Sequence, residues 1–136
     1  MNKENYFMQE GYDESIISFT YVNEKEIRPF VIEELKKYKV LRVRFQNQRE
    51  RMELGADLLF PELRKLNVHE LKYRQLQRAF EHALDQDEQR ILEMKYMSAT
   101  ELNDDYIYTV LGMKRGKFYR KRKSGILNFA TALEMI

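Results

Sequence analysis

An all-α fold is predicted, with a long helix in the N-terminal part and several shorter ones after it. Three observations support this. The chain of 136 residues holds only five Gly and two Pro, and no Ser/Gly-rich linker or low-complexity tract interrupts it. From Pro29 onward apolar residues return at intervals of three, four or seven, the spacing of one helical face. Polar residues suited to helix N-caps, and glycines suited to helix ends, fall between those stretches. At 43% hydrophobic content the chain suffices for one compact domain or two small helical lobes sharing a core. Residues 1–66 read as an N-terminal region with an extended arm and the long helix, suited to oligomerisation or partner contact. Residues 67–136 read as a second helical region.

The first 25 residues carry the weakest pattern. In "SIISFTYV", Ile17, Phe19 and Tyr21 alternate with Ser18 and Thr20, which fits a strand or an extended arm packed on a helix. A long helix is expected from Pro29, which suits a first turn because its missing amide hydrogen is not needed there. Val31, Leu35, Tyr38, Leu41, Phe45 and Met52 form its apolar stripe, and Gly55 offers a stop. After a bend around "LLFPEL", Asn67 and Glu70 have the spacing of an N-cap and its capping-box partner, opening a helix to about Leu84. Its stripe is Val68, Leu71, Leu76, Ala79, Phe80 and Ala83. Asp85 and Glu88 repeat that spacing and open a helix through Ile91, Leu92 and Tyr96. Asn103 or Asp104 caps a short helix with Ile107, Val110 and Leu111 inward. Gly112 ends it, since Gly adopts the left-handed C-cap conformation without penalty. The last helix begins near Lys114 or Arg115 and buries Phe118, Ile126, Phe129, Ala130 and Leu133.

Charge is informative once divided along the chain. The formal net charge is +2, yet "GMKRGKFYRKRKSG" (112–125) has seven basic residues and no acidic one, which leaves −5 for the rest. The preceding stretch, residues 85–105, holds seven acids against Arg90 and Lys95. This asymmetry points to a polyanionic partner for the C-terminal part, with the acidic flank orienting it. No run approaches the roughly 18 to 20 apolar residues of a membrane span, and the N-terminus lacks a signal-peptide core, so no membrane partner and a cytoplasmic location are expected. With no Cys and only His69 and His82, no metal or cofactor is expected. No nucleophile pair or phosphate loop is present, and "GMKRGK" lacks the P-loop spacing, so the chain does not read as an enzyme.

Two short helices joined by a Gly-containing turn, at about 104–125, have the spacing of a helix-turn-helix, whose second helix enters the major groove of double-stranded DNA. With Phe118 inward, the face bearing Arg115, Lys117, Tyr119, Arg120 and Lys123 turns outward. Lys114, Arg115 and Lys117 fall in the first turn, the part that approaches base edges. Arg can bridge guanine O6 and N7, worth about 1–3 kcal/mol of discrimination, whereas Lys serves more often as a phosphate clamp. Lys36, Lys37, Lys39, Arg42 and Arg44 on the long helix form a second, more diffuse basic surface, of which Lys36, Lys37, Lys39 and Arg42 are a second candidate DNA contact. The structural alternative for both is a solvated helix face. Against it, for the C-terminal run, stand the absence of any acid at i±4 within the run and the Gly-terminated helix before it.

"LDQDEQRILEMKYM", together with "DDYIYTVLGMKRGKFYRKRKSGILNFATALEMI", resembles the C-terminal half of the ArpU family of phage packaging and lysis (late-gene) regulators, which include RinA-like activators. That half is similar in turn to the sigma-factor-like promoter-reading helix-turn-helix. Tyr96, Leu111, Gly112, Tyr119, Arg120, Phe129, Ala130 and Leu133 match the family pattern, while Lys114 stands where Ser is usual and Gly125 where Ala is usual. The resemblance covers about residues 84–136 and extends less specifically to "VIEELKKYKVLRVRF". It implies a sequence-specific DNA-binding activator of phage late genes acting in the host bacterial cytoplasm. Host RNA polymerase is then an expected partner, contacted through the acidic 85–105 surface or the N-terminal part, and a homodimer is expected because one short recognition helix reads few base pairs. Two other classes fit the same residues: a small-terminase-like DNA-packaging subunit, and a protein-binding module acting on host transcription machinery without touching DNA.

Overall fold

The structure is a computed structural model that describes residues 23–63 and 68–136. All regular structure among them is helical: α1 (Glu24–Glu53), α2 (Val68–Ala83), α3 (Gln86–Tyr96), α4 (Asp104–Val110) and α5 (Arg115–Ala132). The alternating "SIISFTYV" and the Asn67 cap lie outside the described residues.

Helix α1 begins five residues before Pro29. Asn23 supplies the cap, its side chain accepting from the Lys25 amide at 2.9 Å, and Glu24 and Glu26 place negative charge against the positive end of the helix dipole. A side chain that satisfies an orphan amide outweighs the first-turn preference of Pro29, which sits inside the helix. Pro29 and Lys25 are both exposed, so the carbonyl that Pro29 leaves without an amide partner is not buried. The expected stop at Gly55 is present, with φ +66° and the Ala56 amide reaching back to the Arg51 carbonyl at 2.9 Å.

One core joins the two halves of the chain. Val31, Leu35, Tyr38 and Leu41 of α1 pack with Leu76, Ala79 and Phe80 of α2 and with Ile126, Phe129 and Ala130 of α5. Aromatic contacts run through it: Tyr38 to Phe80 at 5.5 Å, Phe80 edge-on to Phe129 at 6.5 Å, and Phe45 stacked on Tyr73 at 4.7 Å. A smaller cluster gathers Ile91, Ile107 and Phe118, with Met94, Leu102, Leu111 and Met113 against it. Helix α3 is the wall between them, since Leu92 faces the main core and Ile91 the smaller one.

Three expected core positions are exposed instead. Met52 lies where α1, about 45 Å long at 1.5 Å per residue, overhangs the shorter α2. Leu71 sits about 140° around the helix from Leu76, because Tyr73 rather than Leu71 completes the buried stripe. Val110 is on the wrong side of α4, whose inward arc runs from Ile107 through Leu111 to Tyr108.

Gly125 lies where α5 packs closely against α3. A Cβ there would stand 3.2 Å from Glu88 Cβ and 3.4 Å from Leu92 Cδ1. Alanine would gain about 1 kcal/mol of helix propensity but must displace a residue pinned by its own cap, and overpacking costs about 1–3 kcal/mol. Gly125→Ala is therefore expected to lower stability by about 1 kcal/mol in urea unfolding, and a stabilised variant would mean that α3 yields freely at Glu88.

Candidate nucleic-acid interface

The basic run is positioned by local chemistry at both of its ends. Asn103 caps α4, its side chain accepting from the Tyr106 amide at 2.8 Å. At the other end of α4 Gly112 has φ +67°, its amide reaches the Thr109 carbonyl, and the Met113 amide reaches the Tyr108 carbonyl at 2.9 Å. This is a paired C-terminal cap, and it turns the chain within four residues into α5. Lys114 is the N-cap of α5 and makes no side-chain capping bond, as expected of a residue without a short acceptor. Phe118 is fully buried against Ile91 and Ile107, and this fixes the rotation of α5 about its axis.

With that rotation set, Lys114, Arg115, Lys117, Arg120 and Lys123 are all exposed. Gly116, in line with Arg120 and Lys123 at helical spacing, leaves bare backbone on the same face, with nothing within 4 Å of a Cβ placed there. The sequence pattern had not singled out Gly116.

The cations do not all stand alone. Lys117 pairs with Asp87 at 3.2 Å, Lys121 with Asp85 at 2.5 Å, and Arg122 approaches Asp104 at 3.7 Å. The partners are 18 to 36 residues away in sequence, so the absence of acids within the run did not disclose them. Lys114, Arg115, Arg120 and Lys123 have no ion-pair partner among the described residues. Tyr119, expected on the outward face, is half-buried. Its hydroxyl donates to Asp104 Oδ2 at 3.1 Å, and its ring lies between the guanidinium groups of Arg115 at 5.7 Å and Arg122 at 5.2 Å. It therefore supports Arg115 from behind through a cation–π contact.

The acidic stretch is largely occupied within the fold. Glu88 is buried, 4% exposed, and forms the predicted capping box: the Asp85 amide donates to Glu88 Oε1 at 2.9 Å and the Glu88 amide to Asp85 Oδ1 at 2.8 Å. Its other oxygen accepts from Ser124 Oγ at 2.5 Å and from Asn128 Nδ2 at 3.3 Å, which joins the start of α3 to the middle of α5. Glu93 holds Arg42, and Asp104 takes Lys95 at 2.9 Å. Burial alone would raise the Asp104 carboxyl, but Lys95, the Tyr119 hydroxyl and Arg122 together hold it below the usual carboxylate range. Desolvation is likewise outweighed at Asp85 by Lys121 and the cap amides, and its carboxyl also lies low. Within residues 85–105, Glu88 is interior and Asp87 is engaged with Lys117, so neither stands as a free acid of that stretch.

The second basic surface is partly structural as well. Arg42 Nη1 donates to Glu93 Oε2 at 2.9 Å and its guanidinium lies 4.7 Å from the Tyr38 ring centre, which ties α1 to α3. Lys39 reaches the Ser98 carbonyl at 3.5 Å and Lys37 lies 3.5 Å from Glu34, while Lys36 is exposed. Among the described residues, no helix is long and apolar enough to cross a membrane, and no group of three or more His or acidic side chains is placed to hold a metal. Comparison of the chain with protein-family models, curated proteins and solved structures gave no match.

Proposed function

We propose that the chain is a sequence-specific binder of double-stranded DNA whose α4–turn–α5 unit acts as a helix-turn-helix, with α5 reading the major groove. The observation that carries this reading is the sorting of cations on α5. Phe118 is turned inward, and Lys114, Arg115, Arg120 and Lys123 are left exposed, without acidic partners among the described residues, at or after the start of a helix that follows directly on a tight glycine turn. Arg115 is held against Tyr119 in the first turn, where guanine recognition needs a guanidinium of limited freedom. Together with the resemblance of residues 84–136 to the ArpU family, this supports a transcriptional regulator of phage late genes, an activator by the same resemblance.

Arg115→Ala is expected to weaken binding to the cognate duplex by about 10- to 100-fold, the worth of one bidentate base contact, and binding to random duplex by only about a fewfold, the worth of its charge. Lys123→Ala should weaken both about equally. Competition titrations on the two duplexes measure this, and equal losses from Arg115→Ala would remove the base-reading role.

A small-terminase-like packaging subunit is the second reading, favoured by the exposed apolar end of α1, which suits assembly. The purified protein's footprint separates the two: protection upstream of a late promoter supports the regulator, and protection at a packaging site supports the terminase reading.

A further inference from the structure

Each glycine but one among the described residues has a reason inside the fold. Gly55 and Gly112 take left-handed backbone, at φ +66° and +67°, and Gly125 stands under Glu88 and Leu92. Gly116 has neither reason. It lies in the first turn of α5, and a Cβ placed there meets nothing within 4 Å. Glycine weakens a helix relative to alanine, because more backbone freedom is lost on ordering it and no side-chain contact is gained. Nothing else at this turn offsets that loss. Lys114 makes no side-chain capping bond, and the turn holds cations and no acid against the positive end of the helix dipole. The turns that open α1, α3 and α4 each have a capping side chain and acids. Local rules broken together in this way, with no gain inside the fold, mark a place shaped by what it binds.

Phe118, fully buried, lies about 160° around the helix from Gly116, so Gly116 is on the crest of α5 that faces away from the protein. Arg120 stands about 40° to one side of it and Lys123 about 20° to the other, both exposed, with Arg115 and Lys117 on its two flanks. A helix with its side chains is about 10–12 Å across and the major groove about 12 Å wide, so the residue on the crest decides how deep the helix sits. We propose that Gly116 is a specificity-determining position, the point where α5 comes closest to the base edges of the duplex. With no side chain there, the first turn sinks until Arg115 reaches a base. This rests on the reading of α5 as the helix that enters the groove. A side chain at 116 would hold the turn away from the bases and leave the cations able to reach phosphate.

Gly116→Ala and Gly116→Leu test this on two duplexes, one that the wild-type chain selects from a randomised pool and one of random sequence. Both variants should unfold in urea at a midpoint no lower than the wild type, since alanine and leucine favour the helix and the space is open. Affinity for the selected duplex should nevertheless fall, about tenfold for Ala and about a hundredfold for Leu, whereas affinity for the random duplex changes by about twofold at most. On the random duplex the slope of log affinity against log salt should stay as in the wild type, because no charge is removed. A lowered midpoint with Gly116→Ala would give the glycine a part in the fold and overturn the proposal. So would a Gly116→Leu variant that binds the selected duplex as the wild type does, or one that loses both duplexes equally. Replacing Arg115, Arg120 and Lys123 together by Ala separates this failure from that of the underlying reading. If the triple variant loses binding and Gly116→Leu does not, α5 contacts DNA without a close approach at Gly116. If the triple variant binds as the wild type does, or the wild-type chain selects no duplex, the helix-turn-helix reading falls and this proposal with it.

Discussion

Glu88→Ala is expected to cost about 2–4 kcal/mol in urea unfolding followed by circular dichroism. Three contributions combine. The capping box loses the acceptor for the Asp85 amide, the Ser124 hydroxyl and Asn128 amide lose a buried partner, and a void opens between α3 and α5. Glu88→Gln keeps the shape and one acceptor, so about half of that loss is expected. Glu88→Ala should also reduce the cost of Gly125→Ala. It removes the Cγ that would stand 3.4 Å from a new Cβ and the Glu88 half of the capping box, while the Glu88 Cβ at 3.2 Å remains, so α3 yields more easily to the added methyl. A Glu88→Ala loss below about 1 kcal/mol, or additive effects in the double variant, would show that the carboxylate is not the link between α3 and α5.

The parts of this fold that were legible in the sequence are those written in local chemistry. The Asp85–Glu88 box, the Asn103 cap, the Gly112 turn and the inward Phe118 each depend on residues within a few positions, and each is present as expected. The start of α1 was misread because two local signals competed there, and a side-chain cap at Asn23 outweighed the preference of Pro29. Met52, Leu71 and Val110 were assigned inward because spacing alone does not say how far a neighbouring helix extends or which edge of a stripe it covers. Least legible was the disposition of charge. Arg42 with Glu93, Lys117 with Asp87 and Lys121 with Asp85 are pairings across 30 to 51 residues, and no periodicity marks them. They turn what looked like a free acidic surface into the support of the basic helix. Gly125 gained its reason only from the approach of α3.

The division of α5 cations into paired and unpaired makes the salt dependence of DNA binding quantitative. Each phosphate neutralised contributes about −0.9 to the slope of log affinity against log salt. Lys114, Arg115, Arg120 and Lys123 alone give a slope of about −4, so affinity should fall by about two orders of magnitude between 50 and 200 mM salt. Replacing Arg115, Arg120 and Lys123 together by Ala should flatten the slope to about −1 and leave only binding in the non-specific range, about 10⁻⁴ M or weaker. Fold stability should change little, because all three side chains are exposed. Asp87→Asn tests the pairing from the opposite direction. It frees Lys117 from its partner at 3.2 Å, so affinity at low salt should rise and the slope should steepen to about −4.5. If DNA instead strips Lys117 and Lys121 from their aspartates on binding, the wild-type slope starts near −5.5, and Asp87→Asn raises affinity without altering it. A wild-type slope near zero, or a triple variant that binds as the wild type does, would remove α5 as the DNA-contacting element. The sign of the Asp87→Asn effect then tells whether the acidic flank of α5 restrains binding or only shapes the helix that binds.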